Sequence, residues 1–382
     1  MKKVLYIHNV DVTGHTANLT QVISMCNAFK LNNLNVLLLL PLPKKENAFQ
    51  TELKLRETYG IDEVIKISFF KNPFAKNKIR KFTHHFFLKK HINKFNPDFC
   101  YTRDVNFLSA CVKAKKKTIY ESHNFKIHNG SEKINKYLFK KLLKISKSEY
   151  YLFMVTISDM LRKHWISKGF DEKKIQTLHD GFIEEKYKNE ISKLEARKAL
   201  QLPLDKELAI YTGNLYPNRG VNIVLNLAKE FKEITFIVVG GPEKFKKELV
   251  KNSLDLKLEN IHFLGQVAFS KIHLYQFAAD INLGIWSKDV PTINYCSPLK
   301  IFEYMAVGRI IVAMGFPSIK EVLINNKNAF VSNPEKQDSF TKKFKEAITN
   351  KTKGNELAFN ARKESFQSYT WKSRAKKIIS KL

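Results

Sequence analysis

The chain has 382 residues, of which 44% are hydrophobic, and this length and composition predict two globular domains rather than a disordered or fibrous protein. No uninterrupted run of apolar residues is long enough to suggest a transmembrane helix. The net charge of +30 favours anionic partners, such as phosphorylated substrates, acidic lipid headgroups or nucleic acid.

The N-terminal residues and the cysteines indicate a cytoplasmic protein. Met1–His8 predicts a first strand and not a signal peptide, because its apolar core is short and no small-residue cleavage site follows. The 4 cysteines are scattered, with neither metal-ligand nor disulfide-framework spacing, and are expected to be reduced thiols.

Apolar runs alternate with helical patterns along the first half of the chain. The predicted strands cover residues 4–8, 35–40, 64–69, 98–102, 118–121, 151–157 and 175–178. The predicted helices are one that ends at residue 29, then 49–59, 76–95, 105–114, 131–147 and 158–168. A polar stretch near 186–205 predicts a domain boundary.

The same alternation restarts after that boundary. Strands are predicted at 207–212, 235–240, 261–264, 281–285, 310–313 and 329–331. Helices are predicted at 219–231, 245–252 and 270–279, from 297 onwards, near 318–325, and over most of 335–382. The fold is therefore predicted as α/β, with two doubly wound, Rossmann-like domains on either side of a central cleft. The domains are residues 1–188 and 189–370, and 371–382 are expected to pack back onto the first.

The segment Ser297–Ala306 combines a helix start with two charged side chains. Ser297 is a natural N-cap residue, and Pro298 suits the first turn, where its missing N–H costs nothing. Lys300 and Glu303 are three residues apart and so share one helix face. Because a helix N-terminus attracts anions and a carboxylate accepts hydrogen bonds from sugar hydroxyls, the pattern favours nucleotide binding. An ordinary amphipathic helix with a surface ion pair is the alternative.

Glycine turns follow several predicted strands, at the sheet edge where α/β proteins bind ligands. Gly14 and His15 follow the first strand, but no GxGxxG pattern is present, so no dinucleotide site is indicated. Gly213 and Asn214 precede Arg219, whose planar guanidinium predicts a diphosphate clamp. A purely structural turn and a solvated arginine are the respective alternatives.

Two further turns offer groups for a substrate. Gly240 and Gly241 close a strand and permit close approach of a base or ribose. His123 follows the strand at 118–121 and is predicted to lie near the reacting carbon of a bound substrate. An ordinary core or surface histidine is the alternative there.

Other chemistries lack their sequence patterns. The chain has no P-loop, no Gly-x-Ser-x-Gly, no His-Glu-x-x-His and no Cys-x-x-Cys motif. It has no Asp-x-Asp pair, so no metal site and no cofactor are predicted. Aromatic-basic signatures of nucleic-acid modules are also lacking, and nucleic acid is not expected as a partner.

With these turns in order, the chain resembles the GT-B retaining glycosyltransferases of the large group-one (family four) type. The likeness covers nearly the whole length, and its most specific part is Asn260–Ala313. Supporting pieces are Tyr211–Gly220, Phe236–Gly241, Thr156–Ser158 and the Asp180-Gly181 turn.

The resemblance implies a metal-independent, hexosyl-type glycosyltransferase. Its donor would be a nucleotide-diphosphate sugar, with UDP-sugars favoured, and its acceptor a glycan or lipid-linked glycan in the assembly of lipopolysaccharide, capsule or another cell-surface polysaccharide. The C-terminal domain would bind the nucleotide sugar and the N-terminal domain the acceptor. Retention would need no protein nucleophile, because the leaving phosphate itself would take the acceptor's proton.

The resemblance also implies residue roles. His123, Arg219 and Lys300 would be catalytic, the two cations holding the diphosphate and the histidine contacting the transferred sugar. Glu303 would accept hydrogen bonds from the ribose. The other implied substrate-binding residues are Gly14, His15, Gly213, Asn214, Gly240, Gly241, Ser297, Pro298 and Leu299.

Two positions depart from the family pattern. The family often has a Glu-x7-Glu pair, but Tyr295 stands where the upstream glutamate would be, which leaves the donor sugar open. Asp289 could substitute for it if the loop is rearranged. Asn214 stands where many members carry a basic residue, and Lys300 would supply the second cation.

The positive charge is concentrated in one block. Residues 66–147 hold 21 basic and 4 acidic residues, a net charge of +17. The basic helices within 76–94 and 131–147 are therefore predicted to approach an anionic membrane surface, which would place the protein at the inner face of the membrane. Phe82, Phe86, Phe87 and Leu88 would be either core residues or lipid contacts. A generally lysine-rich proteome is the alternative explanation of the charge.

Two other function classes remain open from the sequence. A GT-B sugar-nucleotide epimerase would need paired acid and base carboxylates, which the sequence does not offer. A non-enzymatic protein that binds anionic surfaces or nucleic acid would rest on charge alone.

Overall fold

The structure of the protein is a computed structural model that describes residues 1–13, 16–43, 46–70, 80–128 and 130–382. For residues 80–87 it describes the backbone alone. The chain divides into two compact units, Met1–Asp180 with Trp371–Leu382, and Gly181–Thr370. The first unit thus ends at Asp180 rather than at residue 188, because Phe182 and Tyr187 pack in the core of the second unit.

The first unit is built on a seven-stranded parallel sheet. Its strands are β1 (Lys3–Ile7), β2 (Asn35–Pro41), β3 (Lys66–Phe70), β4 (Phe99–Thr102), β5 (Thr118–Ser122), β6 (Tyr151–Thr156) and β7 (Ile175–Thr177). Their order is β3-β2-β1-β4-β5-β6-β7. The helices between them are α1 (Ala17–Leu31), α2 (Ala48–Tyr59), α3 (Arg80–Phe95), α4 (Val105–Lys113), α5 (Glu132–Ile145) and α6 (Asp159–Ser167).

The second unit repeats this plan with six parallel strands. They are β8 (Glu207–Thr212), β9 (Ile234–Val239), β10 (Ile261–Gly265), β11 (Ile281–Gly284), β12 (Ile310–Met314) and β13 (Phe330–Ser332), in the order β10-β9-β8-β11-β12-β13. Its helices are α7 (Glu184–Tyr187), α8 (Lys193–Leu200), α9 (Ile223–Glu230), α10 (Glu243–Asp255), α11 (Ile272–Ala278), α12 (Leu299–Val307), α13 (Ser339–Thr349) and α14 (Lys351–Ser368).

The last helix, α15 (Trp371–Ile379), belongs to the first unit. It packs along α1, and the side chain of Asn32 donates to the carbonyl of Lys372 at 3.0 Å. No helix in the described ranges is long and apolar enough to cross a bilayer.

Local sequence signals explain where the helices begin. Thr16, Asp104 and Ser158 precede α1, α4 and α6, and each side chain accepts a hydrogen bond from a backbone N–H of the first turn. The inner strands of both sheets are mostly apolar and buried, because helices cover both faces. The predicted alternation of strands and helices is therefore confirmed.

Two local predictions are wrong. The predicted helix 219–231 is a short turn over Pro217–Arg219, and α9 begins only at Ile223, because Gly220 adopts a φ of +77° and interrupts the helix. The segment 318–325 forms turns and no helix. There the buried side chain of Asn328 accepts from the N–H of Ile324 and donates to the carbonyl of Val322, so it closes a loop.

The helix predicted to start at residue 76 begins at Arg80 within the described residues, and residues 76–79 lie outside them. Leu88, on that helix, is buried in the core. Phe82, Phe86 and Phe87 lie where no side chain is described.

Each sheet has one point where the strand order reverses, between β1 and β4 in the first unit and between β8 and β11 in the second. Parallel sheets bind ligands beyond the carboxyl ends of their strands at such points. The loops after these four strands, and those beside them, therefore position the candidate functional groups in each unit.

Candidate functional site

Lys300 lies at the strand ends of the second unit with its ammonium group against aromatic faces. Its Nζ is 4.1 Å from the ring centroid of Tyr211 and 4.6 Å from that of Trp286. A Cβ on Gly213 would lie 3.4 Å from the same nitrogen and 3.0 Å from the Tyr211 hydroxyl. Glycine at position 213 thus keeps the backbone close to the ammonium group, as an anion-binding turn requires.

Arg219 is the second cation of this site. The short turn that carries it ends at Gly220, where a Cβ would come within 2.9 Å of the backbone carbonyl carbon of Trp286. The Nε of Arg219 is buried and has no hydrogen-bond partner among the described residues. Across those residues, neither Arg219 nor Lys300 forms an ion pair with a carboxylate. The site therefore has an excess of positive charge.

Electrostatics at Lys300 reflect that excess. Burial, together with repulsion from Arg219, lowers the pKa of Lys300 to about 7, against the attraction of Glu303. An oxyanion placed beside both cations would reverse this effect, because it would favour the charged form of the lysine.

The helix α12 begins one residue later than predicted. Pro298, with extended backbone angles, occupies the N-cap position, and Leu299 is the first helical residue. Ser297 is buried and is not the cap residue. The unbonded N–H groups of a first helical turn point outward, so the backbone here still offers donors to an anion.

Gly240 packs directly on the Gly213 turn. A Cβ on Gly240 would lie 1.7 Å from the carbonyl oxygen of Gly213, so only glycine fits there. Two backbone hydrogen bonds join the same turns, from Gly213 N–H to the Val239 carbonyl at 2.9 Å and from Leu215 N–H to the Gly241 carbonyl at 2.8 Å. Gly213, Gly240 and Gly241 are thus brought together at one edge of the sheet.

Asn214 contributes its backbone to this turn. Its carbonyl accepts a hydrogen bond from the Tyr211 hydroxyl at 2.9 Å, and the residue is exposed. The hydroxyl thereby fixes the ring on which the ammonium group of Lys300 rests.

Glu303 is held by a buried hydrogen-bond network that the sequence did not reveal. Gln276 donates to its Oε2 at 2.9 Å and accepts from the Tyr187 hydroxyl at 2.8 Å. The Tyr304 hydroxyl accepts from the Thr212 backbone N–H at 3.0 Å, which ties α12 to the end of β8. These contacts fix the position of the Glu303 carboxyl.

Burial raises the pKa of Glu303, while Gln276, Lys186 and Lys300 oppose the shift. Lys186 was not predicted. Its Nζ lies 3.6 Å from the ring centroid of Phe269 and shares a small cavity with Glu303 and His273. Attraction by the two ammonium groups thus favours the ionised carboxyl, which only accepts hydrogen bonds.

Tyr295, which departs from the family pattern, and Asp289, its possible substitute, occupy different settings. Tyr295 is buried, and a tyrosine offers no carboxylate to a sugar. Asp289 accepts a hydrogen bond from the Ser287 hydroxyl at 2.8 Å in an exposed turn. Donor-sugar recognition therefore stays open.

His123 follows β5 in the first unit and is bonded to Glu121. Because an ionised carboxylate only accepts, His123 donates from Nε2 to Glu121. Burial and then Arg103 lower the pKa of His123 to about 4, so the imidazole is neutral near pH 7. A neutral imidazole with one nitrogen committed keeps Nδ1 as an acceptor.

Glu121 is a fully buried carboxylate with four donors. Besides His123, it accepts from Gln21 Nε2 at 2.6 Å, from the Tyr101 hydroxyl and from Arg374 Nη1 at 3.3 Å. Burial alone would raise its pKa, but Arg374 and His123 hold the pKa well below the usual range. Nothing in the local sequence indicates Arg374 as its partner, because Arg374 lies in α15, far along the chain.

Two predicted substrate residues, Gly14 and His15, lie outside the described residues. Within the described ranges, no group of three or more histidine, cysteine or acidic side chains could hold a metal ion. The predicted roles of the site residues stay predictions, and so does metal independence.

Comparisons with known proteins identify the architecture. The sequence profile of the family described as "Glycosyl transferases group 1" matches residues 192–364. The crystal structure of Anabaena Alr3699/HepE in complex with UDP superposes with a TM-score of 0.76 at 18% identity, covering 100% of this chain and 99% of that one. This structural likeness over the full length shows the fold.

Two relatives match about half of the chain. A lipopolysaccharide 1,2-N-acetylglucosaminetransferase of Salmonella typhimurium is 23% identical over 217 residues, which are 53% of this chain and 55% of that protein. A chitobiosyldiphosphodolichol beta-mannosyltransferase of Candida albicans is 23% identical over 208 residues, 51% of this chain and 45% of that protein. The match thus spans about half the length of these relatives.

The GT-B fold extends over the whole chain, and the family profile covers most of the unit that carries Arg219, Lys300 and Glu303. Residues 192–364 are thus similar to the group 1 glycosyltransferases, and the chain as a whole has the GT-B fold.

Proposed function

We propose that the protein is a retaining glycosyltransferase that moves a sugar from a nucleotide-diphosphate sugar to a glycan or lipid-linked glycan acceptor. The observation that carries the proposal is the pair of cations, Arg219 and Lys300, beside the glycine turn at 213 and without a carboxylate partner among the described residues. Such a pair matches the negative charge that builds on a leaving diphosphate. No metal is needed in this scheme, because the two side chains stabilise that charge.

The donor is proposed to be a UDP-sugar. Structures of the Anabaena protein with UDP and with UDP-glucose support this choice. Glu303 would accept hydrogen bonds from the ribose, because Gln276 fixes its carboxyl and two ammonium groups lie nearby. His123 would accept from a hydroxyl of the transferred sugar through Nδ1.

The acceptor is proposed from the relatives and from charge. Both relatives are named for substrates in lipopolysaccharide or on a diphosphodolichol carrier. In the first unit, the solvent-exposed side chains of α5 include three lysines and two hydrophobic residues. They are Lys133, Lys136, Lys140, Ile134 and Tyr137. This combination supports peripheral contact with an anionic membrane.

Nucleotide binding provides the direct test. Isothermal titration of the full chain with UDP-, GDP- and ADP-linked sugars should give binding by a UDP-sugar, and turnover should release UDP. Because charge-assisted hydrogen bonds contribute about 1.5–3 kcal/mol each, Arg219→Ala should weaken UDP binding by about tenfold or more. The exposed Lys247→Ala should leave it unchanged.

A set of analogues separates the individual roles. Glu303→Ala should weaken binding of UDP but have less effect on its 2′,3′-dideoxy analogue, which cannot donate to the carboxyl. Equal losses for both ligands would remove the ribose role. Absence of binding by any nucleotide sugar would reject the proposed function as a whole. Retention is read from the anomeric proton coupling of the product by NMR.

A further inference from the structure

Arg103 lies where the strand order of the first sheet reverses. It follows β4 directly, and β4 pairs with β1 on one side and β5 on the other. His8 and His123 follow these two neighbours. The guanidinium is therefore on the ligand-binding edge of the first unit.

Two side-chain amides fix one amino group of this guanidinium. Arg103 donates from Nη1 to Asn18 Oδ1 at 2.5 Å and to Gln21 Oε1 at 3.0 Å. Its Nε and Nη2 have no hydrogen-bond partner in the part of the chain that the structure describes, and neither atom is buried. Nε and Nη2 form the edge of the guanidinium that can donate two parallel hydrogen bonds to one carboxylate or phosphate.

The charges around Arg103 are otherwise compensated. Glu121, the buried carboxylate nearby, is paired with Arg374 at 3.3 Å. Asp104 accepts from the backbone N–H groups of Asn106 at 2.6 Å and Phe107 at 3.3 Å, where it caps α4. No carboxylate in the described ranges lies within ion-pair distance of Arg103. The guanidinium is a surplus positive charge.

The other buried titratable groups at this edge add little negative charge. Burial and then Arg103 lower the pKa of His8 to about 3 and of His123 to about 4, so both rings are neutral near pH 7. Burial raises the pKa of Asp180 to about 7, so its carboxyl is only partly ionised there. A neutral, polar surround with one extra cation suits a ligand that carries both hydroxyl groups and an oxyanion.

We propose that Arg103 binds an oxyanion of a substrate, a phosphate or a carboxylate group, through Nε and Nη2. The Asn18 and Gln21 amides hold the guanidinium in place for this contact, and Gln21 links it to Glu121 through a second hydrogen bond at 2.6 Å. The proposal extends the proposed function, on which it rests for the identity of the substrates. The oxyanion belongs either to the diphosphate of the donor or to an acidic group of the acceptor.

Titrations with two probes distinguish these sources. UDP is titrated into the full chain at about 0.15 M salt, which screens non-specific attraction. Inorganic pyrophosphate is then titrated into the protein saturated with UDP. The variants are Arg103→Ala, Arg103→Lys, which keeps the charge but lacks the two-pronged edge, and Lys113→Ala, an exposed-site control in the neighbouring helix α4.

Arg103→Ala should weaken one of the two probes by about tenfold, and Arg103→Lys should recover part of the loss. A loss in UDP affinity assigns the donor diphosphate, whereas a loss confined to pyrophosphate assigns an acidic acceptor. Changes below about twofold for both probes, with the fold intact by circular dichroism, would overturn the proposal.

The outcomes separate this proposal from the proposed function. Suppose that UDP affinity depends on Arg219 but that neither UDP affinity nor pyrophosphate affinity changes in the Arg103 variants. In that case only the proposed role of Arg103 fails. If wild-type protein binds no nucleotide, the proposed function fails, and pyrophosphate titrated into the nucleotide-free protein still tests Arg103.

Discussion

The surroundings of Lys300 disfavour its charged form when no anion is bound. Its ammonium group rests on two aromatic faces, where the cation–π attraction replaces part of its hydration. Burial and the nearby Arg219 disfavour its charged form. Burial also raises the pKa of the Glu303 carboxyl. A bound diphosphate would supply negative charge beside the two cations, Lys300 and Arg219.

Binding of UDP is therefore expected to be coupled to proton uptake by Lys300. The pKa of the free lysine is about 7, below its ordinary value, so the neutral form prevails above that pH. A bound diphosphate raises the pKa, so near pH 8 close to one proton should be taken up, and affinity should fall as the pH rises. Calorimetry in buffers of different ionisation enthalpy measures this number.

Lys300→Arg is the matched control, because arginine keeps its proton at these pH values. The variant should bind UDP without the uptake step. An equal proton count for the wild type and the variant would mean that Lys300 does not titrate on binding.

At the scale of elements, α15 completes the buried polar centre of the first unit. Arg374 donates to Glu121 at 3.3 Å and from Nε to the carbonyl of His179 at 2.9 Å. Attraction by Glu121 raises the pKa of the guanidinium above its ordinary value, although burial opposes the shift. The helix α15 thus neutralises a carboxylate within the fifth strand.

Removing that cation should destabilise the first unit. Arg374→Met would leave Glu121 charged, buried and uncompensated, which costs about 3–5 kcal/mol in comparable pairs. Urea unfolding should show this loss, whereas Lys376→Met, at an exposed position of the same helix, should have little effect. The double variant Glu121→Gln with Arg374→Met should recover much of the stability, and a double variant no more stable than Arg374→Met would contradict the pairing.

The elements also show what the sequence could predict. The parallel sheets follow from apolar runs separated by helices, and the common face of Lys300 and Glu303 follows from their spacing. By contrast, the contacts from Gln276 to Glu303 and from Arg374 to Glu121 join residues far apart in the chain. No local pattern marks such pairs, because they depend on how helices pack after the sheet has formed. The false helix at 318–325 has a local cause instead, since the Asn328 side chain bonds to the backbone of Val322 and Ile324 and closes a loop there.

At the scale of the whole molecule, the candidate sites around Lys300 and Arg103 account for only a small part of the positive charge. The chain carries a net charge of +30, and residues 66–147 account for +17 of it. In the first unit, α5 buries Leu138 and Leu142 and leaves Lys133, Lys136 and Lys140 exposed. Such an arrangement stabilises the fold through the apolar face alone and leaves the basic face for an external partner.

The basic face of α5 is expected to bind anionic bilayers. Each lysine near such a surface contributes about 1 kcal/mol, so the triple change Lys133→Gln, Lys136→Gln and Lys140→Gln should lower partitioning by roughly a hundredfold. Flotation of the full chain with vesicles of phosphatidylglycerol and phosphatidylcholine measures this, and pure phosphatidylcholine should not retain the protein.

The helix α10 of the second unit offers a control with the same spacing and the same change in net charge, Lys244→Gln with Lys247→Gln and Lys251→Gln, all at exposed positions. If binding depends on net charge alone, both triple variants should lose it equally. If α5 is the contact, only its variant should stay at the bottom of the gradient at about 0.15 M salt, where the Debye length is about 8 Å and only lysines close to the bilayer still act. Equal flotation of the two variants would therefore exclude α5 as the membrane-binding surface.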